Sequence, residues 1–374
     1  MMKKRIGITG QNGFVGSYLY NTISLLKDEF EIVPFQRTFF EDADQLHRWV
    51  SECDVIVHLA AINRHSDPQF IYDTNVHLVQ LLIDAARATS SKPHMIISSS
   101  TQEERDNLYG NSKKKGRLLL KEWSEASGAT VTGLIIPNIF GPFGKPFYNS
   151  VVATFCHQLC NQEQPKIDVD GSLKLIYVGE VVDAIIEAIR SQQNTPELLL
   201  QYSSEKKVSD ILSMLQHCKT LYLDKGIIPE LPDRFSLNLF NTFRSYIDHS
   251  SRYPFKLVKH TDERGSFIET IRLMQGGQVS FSTTVPGVTR GNHFHTRKIE
   301  RFTVIKGKAK IQLRKYNTSE VLEFELDGEN PSYVDMPIWY THNISNIGEG
   351  ELYTIFWINE FYDPNDADTY FETV

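Results

Sequence analysis

His293 and His295 alternate in the stretch Arg290-Gly-Asn-His293-Phe-His295, a spacing that puts both imidazoles on one face of a strand. Glu300 follows shortly after, and His342 closes the later run Pro337-Ile-Trp-Tyr-Thr-His342. Three imidazoles and a carboxylate make an N/O donor set suited to zinc or another divalent transition metal. Two histidines on an exposed strand edge would explain the first pair, but not Glu300 and His342. A second set lies nearer the N-terminus, where Ser100 ends an apolar run and Tyr109 stands four positions before Lys113. On a helix that spacing places phenol and ammonium on one face. The cation is expected to lower the tyrosine pKa, so that the phenol exchanges a proton with a carbonyl oxygen that Ser100 also hydrogen-bonds.

Such groups need rigid elements behind them. Residues 5–9 read as a buried strand, followed at once by Gly10-Gln-Asn-Gly13-Phe14-Val15-Gly16 and a helix over 17–26. Glycine there allows a tight turn and lets backbone approach a pyrophosphate at the helix N-terminus. The strand over 54–61 ends in Ala60 and Ala61, small enough for a cofactor to lie across them. After the strand over 31–35, an acid would bind ribose hydroxyls. Arg37 stands there instead, and a guanidinium suits a 2′-phosphate. The expected cofactor is therefore NADP(H) rather than NAD(H).

The chain has 374 residues, 41% hydrophobic and 23% charged, with a formal net charge of −7. That length suits two domains, and the charge argues against a nucleic-acid partner. Four scattered cysteines, Cys53, Cys156, Cys160 and Cys218, suggest no disulfide framework, and Cys156 and Cys160 read as apolar positions one helical turn apart. The N-terminus carries no apolar leader and no run of about 18 apolar residues occurs, so a cytoplasmic protein without a membrane partner is expected. A proline-punctuated, aromatic stretch over 229–254 marks the boundary. It divides an α/β domain over 1–248, a doubly wound parallel sheet, from an all-β domain over 253–374 with short alternating strands. The helix over 209–218 is expected to pack on the first domain. Tyr340, Lys298 and Lys306 could assist the second site, with burial the simpler reading for the tyrosine and surface exposure for the lysines.

The glycine loop, the strand-end Ser100 and Tyr109-Gly-Asn-Ser-Lys113, in this order, resemble the extended short-chain dehydrogenase/reductases, a Rossmann-type fold. Gly287, His293, His295, Glu300 and Gly307 match the first cupin motif, which implies a double-stranded β-helix, or jelly roll. Pro337, His342 and Asn346 resemble the second motif, with Trp339 where that motif usually has glycine. The segment 261–269, with Arg264, and Arg290-Gly-Asn-His293 are similar to deoxysugar-nucleotide epimerases of the cupin class. In those enzymes the matching histidine is a metal-free base, which leaves His293 as ligand, base, or ligand of a basic water. Over nearly its whole length the chain resembles the CapF-type capsular polysaccharide synthesis enzymes, at GFVG, HLAAINR, PNIFGPFGKPFYNS, GNHFH, PIWYTHNI and YDPNDADTYF. The resemblance implies a bifunctional enzyme on the route to UDP-N-acetyl-L-fucosamine. Its cupin half would epimerise a UDP-linked 4-keto-6-deoxy amino sugar at C3. Its reductase half would reduce the C4 ketone with NADPH, giving a UDP-6-deoxy-L-talosamine derivative. It also implies a substrate contact at Asn138 and a homodimer through the cupin domain. The alternative is a single-activity keto-sugar-nucleotide reductase whose cupin serves for dimerisation or sugar binding.

Overall fold

In the computed structural model, which describes residues 3–263, 265–274 and 276–374, the chain forms two compact units. One comprises Met1–Thr154 with Val169–Val208, the other Phe155–Asp168 with Ser209–Val374. Residues 209–248 thus pack with the β-rich unit, and the helix Val208–Cys218 lies almost wholly in it rather than in the first. Arg264, part of the epimerase-like motif, lies outside the described residues.

The first unit is built on a parallel sheet of β1 (Lys4–Thr9), β2 (Phe30–Val33), β3 (Val55–His58), β4 (His94–Ser100), β5 (Val131–Ile136) and the strand Thr195–Leu199. Its helices include α1 (Phe14–Leu25), α2 (Ala43–Glu52), α3 (Pro68–Ala88) and α4 (Leu108–Ser127). Apolar residues along the strands serve two faces in turn. Ile6, Ile8, Val55 and Val57 pack with Leu19 of α1 and Ile185 of the helix Val178–Ser191. Ile56, Met95 and Ile97 pack with Trp49, Val79 and Trp123 of α2, α3 and α4. Covering both faces is what a parallel sheet needs, because each strand is apolar on both sides. The order β2-β1-β3-β4-β5 takes the chain from β1 to opposite sides for β2 and β3. Such a reversal opens a crevice at the carboxyl ends of the strands, where ligands bind in open α/β sheets.

The second unit holds two five-stranded sheets. One runs Phe255–Lys256, Ser332–Met336, Glu300–Lys306, Leu352–Ile358, Gln278–Thr284; the other Val321–Asp327, Lys308–Lys315, Tyr340–Asn346, Thr289–Phe294, Tyr370–Phe371. All their pairings are antiparallel. Alternation in Lys308–Lys315 turns Ala309, Ile311 and Leu313 inward, into one core with Val304, Val334 and Leu352 of the facing sheet. Among the described residues no helix is long and apolar enough to cross a membrane.

Candidate functional site

In the first unit, the crevice beside β1 is shaped by close backbone contact. Gly10 sits at φ 75°, and a Cβ there would come within 2.8 Å of Ala60 N. A Cβ at Gly16 would reach Gly10 O at 2.0 Å. Both positions therefore require glycine for the fold itself. Gly13 is different. Its φ of −81° and ψ of 173° suit any residue, and its Cβ would meet only Gly10 O, at 3.2 Å. The missing side chain instead leaves room for a group lying against the α1 N-terminus, which no side chain caps. The residues thus fit a dinucleotide pyrophosphate. Phe14 and Val15 open α1, and Gln11 donates from Nε2 to Phe35 O at 3.0 Å, tying the loop to the end of β2. Just beyond, Arg37 is exposed at the start of a 3-10 turn. Ala60 donates its N–H to Thr9 Oγ1 at 3.3 Å, and Ala61 follows it at the exit of β3.

Ser100, Tyr109 and Lys113 lie beyond β4. Ser100 caps the turn Thr101–Glu104 by accepting from Gln102 N at 3.2 Å. Tyr109 stands in the first turn of α4, which begins where Asn107 Oδ1 accepts from Gly110 N at 2.8 Å. Gly110 makes that seat possible, since a Cβ would collide with Gln102 O at 2.0 Å. Lys113 is buried, and its Nζ donates to Ser98 Oγ at 3.4 Å. Burial, with Tyr148 adding to it, pushes the Tyr109 phenol up to about 12, opposite to the expected direction. Burial likewise pushes Lys113 down to about 8, against the pull of Glu103. Sequence reasoning missed the frame behind these groups. Arg117 of α4 pairs with Glu103 at 2.7 Å with both side chains almost fully buried, and Ser99 donates to the same carboxylate. Asn75 of α3 joins it by donating to Ser112 Oγ at 3.0 Å. Polar residues so far apart leave no periodic signal. Asn138 is exposed and donates to Lys174 O at 3.2 Å.

In the second unit, the four sequence-predicted ligands come together. The ligand atoms of His293, His295, Glu300 and His342 all lie within 4.8 Å of one another. His293 pairs directly with His342 across the ladder, after a bulge between Gly291 and His293. A bulge re-aims the side chain that follows it, and Asn292 takes φ 60° there. Glu300 enters from the facing sheet, its Oε2 3.1 Å from His295 Nε2 and 3.2 Å from His342 Nε2. All three of these atoms are buried without a hydrogen-bond partner. Outer contacts fix the rings: His295 Nδ1 meets Asp368 O at 2.5 Å and His342 Nδ1 meets Tyr340 O at 3.1 Å. Donating from Nδ1 leaves each Nε2 lone pair aimed at the common point, as metal-binding imidazoles require. Burial, helped by the two neighbouring imidazoles, pushes His293 down to about 4. Burial opposes ionisation of Glu300, but the neighbouring imidazoles of His295 and His342 prevail and hold its carboxyl well below the usual carboxylate range. Donor set, burial and orphaned atoms fit a divalent metal.

Around this centre, Trp339 occupies φ 62°, the left-handed region that favours the glycine of the related motif. Its N–H donates to His295 O at 2.8 Å. Asn346 is buried in a structural role, donating to Thr284 O and Gly350 O. Lys298 is 1% exposed, contrary to expectation, because its ammonium is drawn to Ala367 O at 2.6 Å; Lys306 is exposed. Tyr340 packs edge-on against His249, and burial pushes its phenol up to about 12.

Residues 6–199 match the NAD dependent epimerase/dehydratase family. The chain belongs to that family. Residues 260–370 match the polysaccharide biosynthesis C-terminal domain. Across 98% of both chains the protein is 31% identical to the UDP-2-acetamido-2,6-beta-L-arabino-hexul-4-ose reductase of Pseudomonas aeruginosa. The crystal structure of the capsular polysaccharide assembling protein CapF from Staphylococcus aureus is 34% identical. It superposes with a TM-score of 0.62 over 99% of this chain and 100% of that one. The NADPH complex of RMD from Pseudomonas aeruginosa, 20% identical with a TM-score of 0.52 over 58% of this chain and 83% of that one, shares the fold of the first part.

Proposed function

We propose that this family member is a bifunctional UDP-sugar enzyme of capsular polysaccharide synthesis, with its activities divided between residues 1–248 and 253–374. The β-rich half, read as a cupin, epimerises a UDP-linked 4-keto-6-deoxy amino sugar at C3. The dinucleotide half then reduces the C4 ketone with NADPH. What supports this reading is the gathering of His293, His295, Glu300 and His342 at one point, in a chain that also carries Ser100, Tyr109 and Lys113 at the end of β4 and the start of α4. The full-length likeness to a UDP-hexulose reductase supports the substrate class.

In the reductase site NADPH supplies the hydride. Gly10, Gly13, Phe14, Val15 and Gly16 would hold the pyrophosphate, Ala60 and Ala61 would leave room for the cofactor, and Arg37 would receive the 2′-phosphate. Tyr109, held protonated by burial, gives its proton to the developing C4 alkoxide while Ser100 donates to the same oxygen and Asn138 contacts the sugar nucleotide. Lys113 stays charged at neutral pH and supports the tyrosine by its field. In the epimerase site, His293, His295, Glu300 and His342 would hold a zinc-like ion, which would supply Lewis-acid polarisation of the ketone. A 4-ketone acidifies the neighbouring C–H, so modest base strength suffices. Reduction removes that acidity and draws the epimerisation forward.

The protein works in the cytoplasm as a homodimer through its β-rich domain. Gln278–Thr284, at the edge of its sheet, has no charged residue and exposes Phe281 at 71%. An edge strand without charge is a template for pairing with a second strand. Incubating the protein with the UDP-4-keto sugar and NADPH and reading product stereochemistry by NMR tests the proposal. A product reduced at C4 and inverted at C3 is expected, and reduction without inversion would leave only the reductase.

A further inference from the structure

The last residues of the chain fold back along the metal-ligand cluster. Tyr370–Phe371 pairs antiparallel with His293 and Phe294. Just before it, Asp368 is buried at φ 42°, a backbone state that Asp and Asn tolerate better than most residues. Its Oδ1 accepts from Thr296 N at 3.1 Å and Thr296 Oγ1 at 2.7 Å. Its Oδ2 accepts from Arg297 N and Lys298 N, both at 3.0 Å. These three amides follow His295 directly, in the turn between the strands that carry His293 and Glu300. The carbonyl of the same Asp368 takes His295 Nδ1.

Both ends of this strap are anchored. Arg297 pairs with Asp366 at 2.8 Å before Asp368, and Glu372 N donates to Asn292 O at 2.9 Å after it. Arg314 pairs with Glu372 at 2.7 Å. A carboxylate seated on successive backbone N–H groups locks a turn, and an acceptor on the far nitrogen of a ligand imidazole fixes its tautomer and rotation.

We propose that Asp368 is a positioning residue of the metal centre: its carboxylate closes the 296–298 turn so that its own carbonyl orients His295. This rests on the metal reading above. Without the carboxylate the turn has unpaired amides, the carbonyl drifts from Nδ1, and His295 rotates out of the ligand set.

The test uses full-length protein, zinc as the metal, and Asp368→Ala beside Asp368→Asn. Zinc affinity is measured by chelator competition, the visible spectrum is recorded with cobalt, and thermal unfolding is followed on the metal-free forms. Asp368→Ala is expected to weaken zinc binding roughly 10–100-fold and to change the cobalt spectrum. Asp368→Asn, which keeps one acceptor and the backbone conformation, falls between the two and carries the test alone should the alanine variant not fold. The metal-free forms of wild type and Asp368→Asn unfold at similar temperatures. Unchanged affinity and spectrum in the variants would overturn the positioning role, as would a loss of affinity that only tracks loss of the metal-free fold. Wild-type protein that takes up no zinc would overturn the metal reading itself.

Discussion

Glu300 Oε2 stands 3.2 Å from His342 Nε2 although the two residues belong to different sheets. The carboxylate therefore bridges the two layers from the inside, with its Oε2 buried. Two buried imidazoles beside an ionised carboxylate, each with an orphaned nitrogen, are costly to leave without a cation.

Tyr109 donates a proton in the proposed reduction, and the fold keeps it protonated. Tyr109→Phe is expected to lower ketone-dependent NADPH oxidation by about 10²–10⁴-fold. Cofactor binding, followed by NADPH fluorescence, should be retained. Turnover near the wild-type rate would remove the tyrosine from the mechanism.

Burial holds folded Lys113 near 8, below its ordinary 10.5. Between those values the unfolded chain binds the extra proton, so this residue's contribution to stability rises with pH across that window. Below about 8 the folded lysine is charged, and its field on the site is lost as pH rises through that value. The rate of NADPH oxidation is expected to fall above pH 8, and Lys113→Met should lack that limb. Tyr109, pushed up to about 12, adds no limb in the same range.

Arg37 is exposed at the tip of β2, free to meet a phosphate. Arg37→Ala should raise KM for NADPH by roughly 10–100-fold, the worth of a hydrogen bond to a charged group, about 1.5–3 kcal/mol. KM for NADH should change little. Equal losses with both cofactors would contradict the 2′-phosphate role.

Phe281 lies mid-way along the uncharged edge strand. Phe281→Glu is expected to shift the protein from dimer to monomer in sedimentation velocity. A wild-type monomer, or a variant that remains dimeric, would place the dimer contact elsewhere or remove it.

Much of this was legible in the sequence because strand and turn spacing carry it. The glycine loop sits directly between a strand and a helix, Ser100, Tyr109 and Lys113 lie close together in sequence at the end of β4 and the start of α4, and His293 and His295 share one strand segment. Trp339 shows how a departure from a motif is absorbed: the backbone keeps the left-handed turn and the indole stacks on Phe294. What depends on distant contacts was not legible. Asp368 lies 73 residues from His295, and the ammonium of buried Lys298 meets Ala367 O, 69 residues away. The Tyr109 pKa went the other way from expectation because the phenol is buried with Tyr148 beside it, and such burial is set by tertiary packing. The helix Val208–Cys218 is amphipathic whichever unit it joins, so its pattern could not reveal its partner.

The β-rich unit is proposed to loosen the proton beside a ketone before any hydride arrives. Incubating the protein in D₂O with the UDP-4-keto-6-deoxy sugar, without NADPH, tests it by proton NMR. Deuterium should enter at C3 with wild-type protein and with Tyr109→Phe, and should not enter with Glu300→Ala. Wild-type protein that leaves the C3 proton in place would contradict the account.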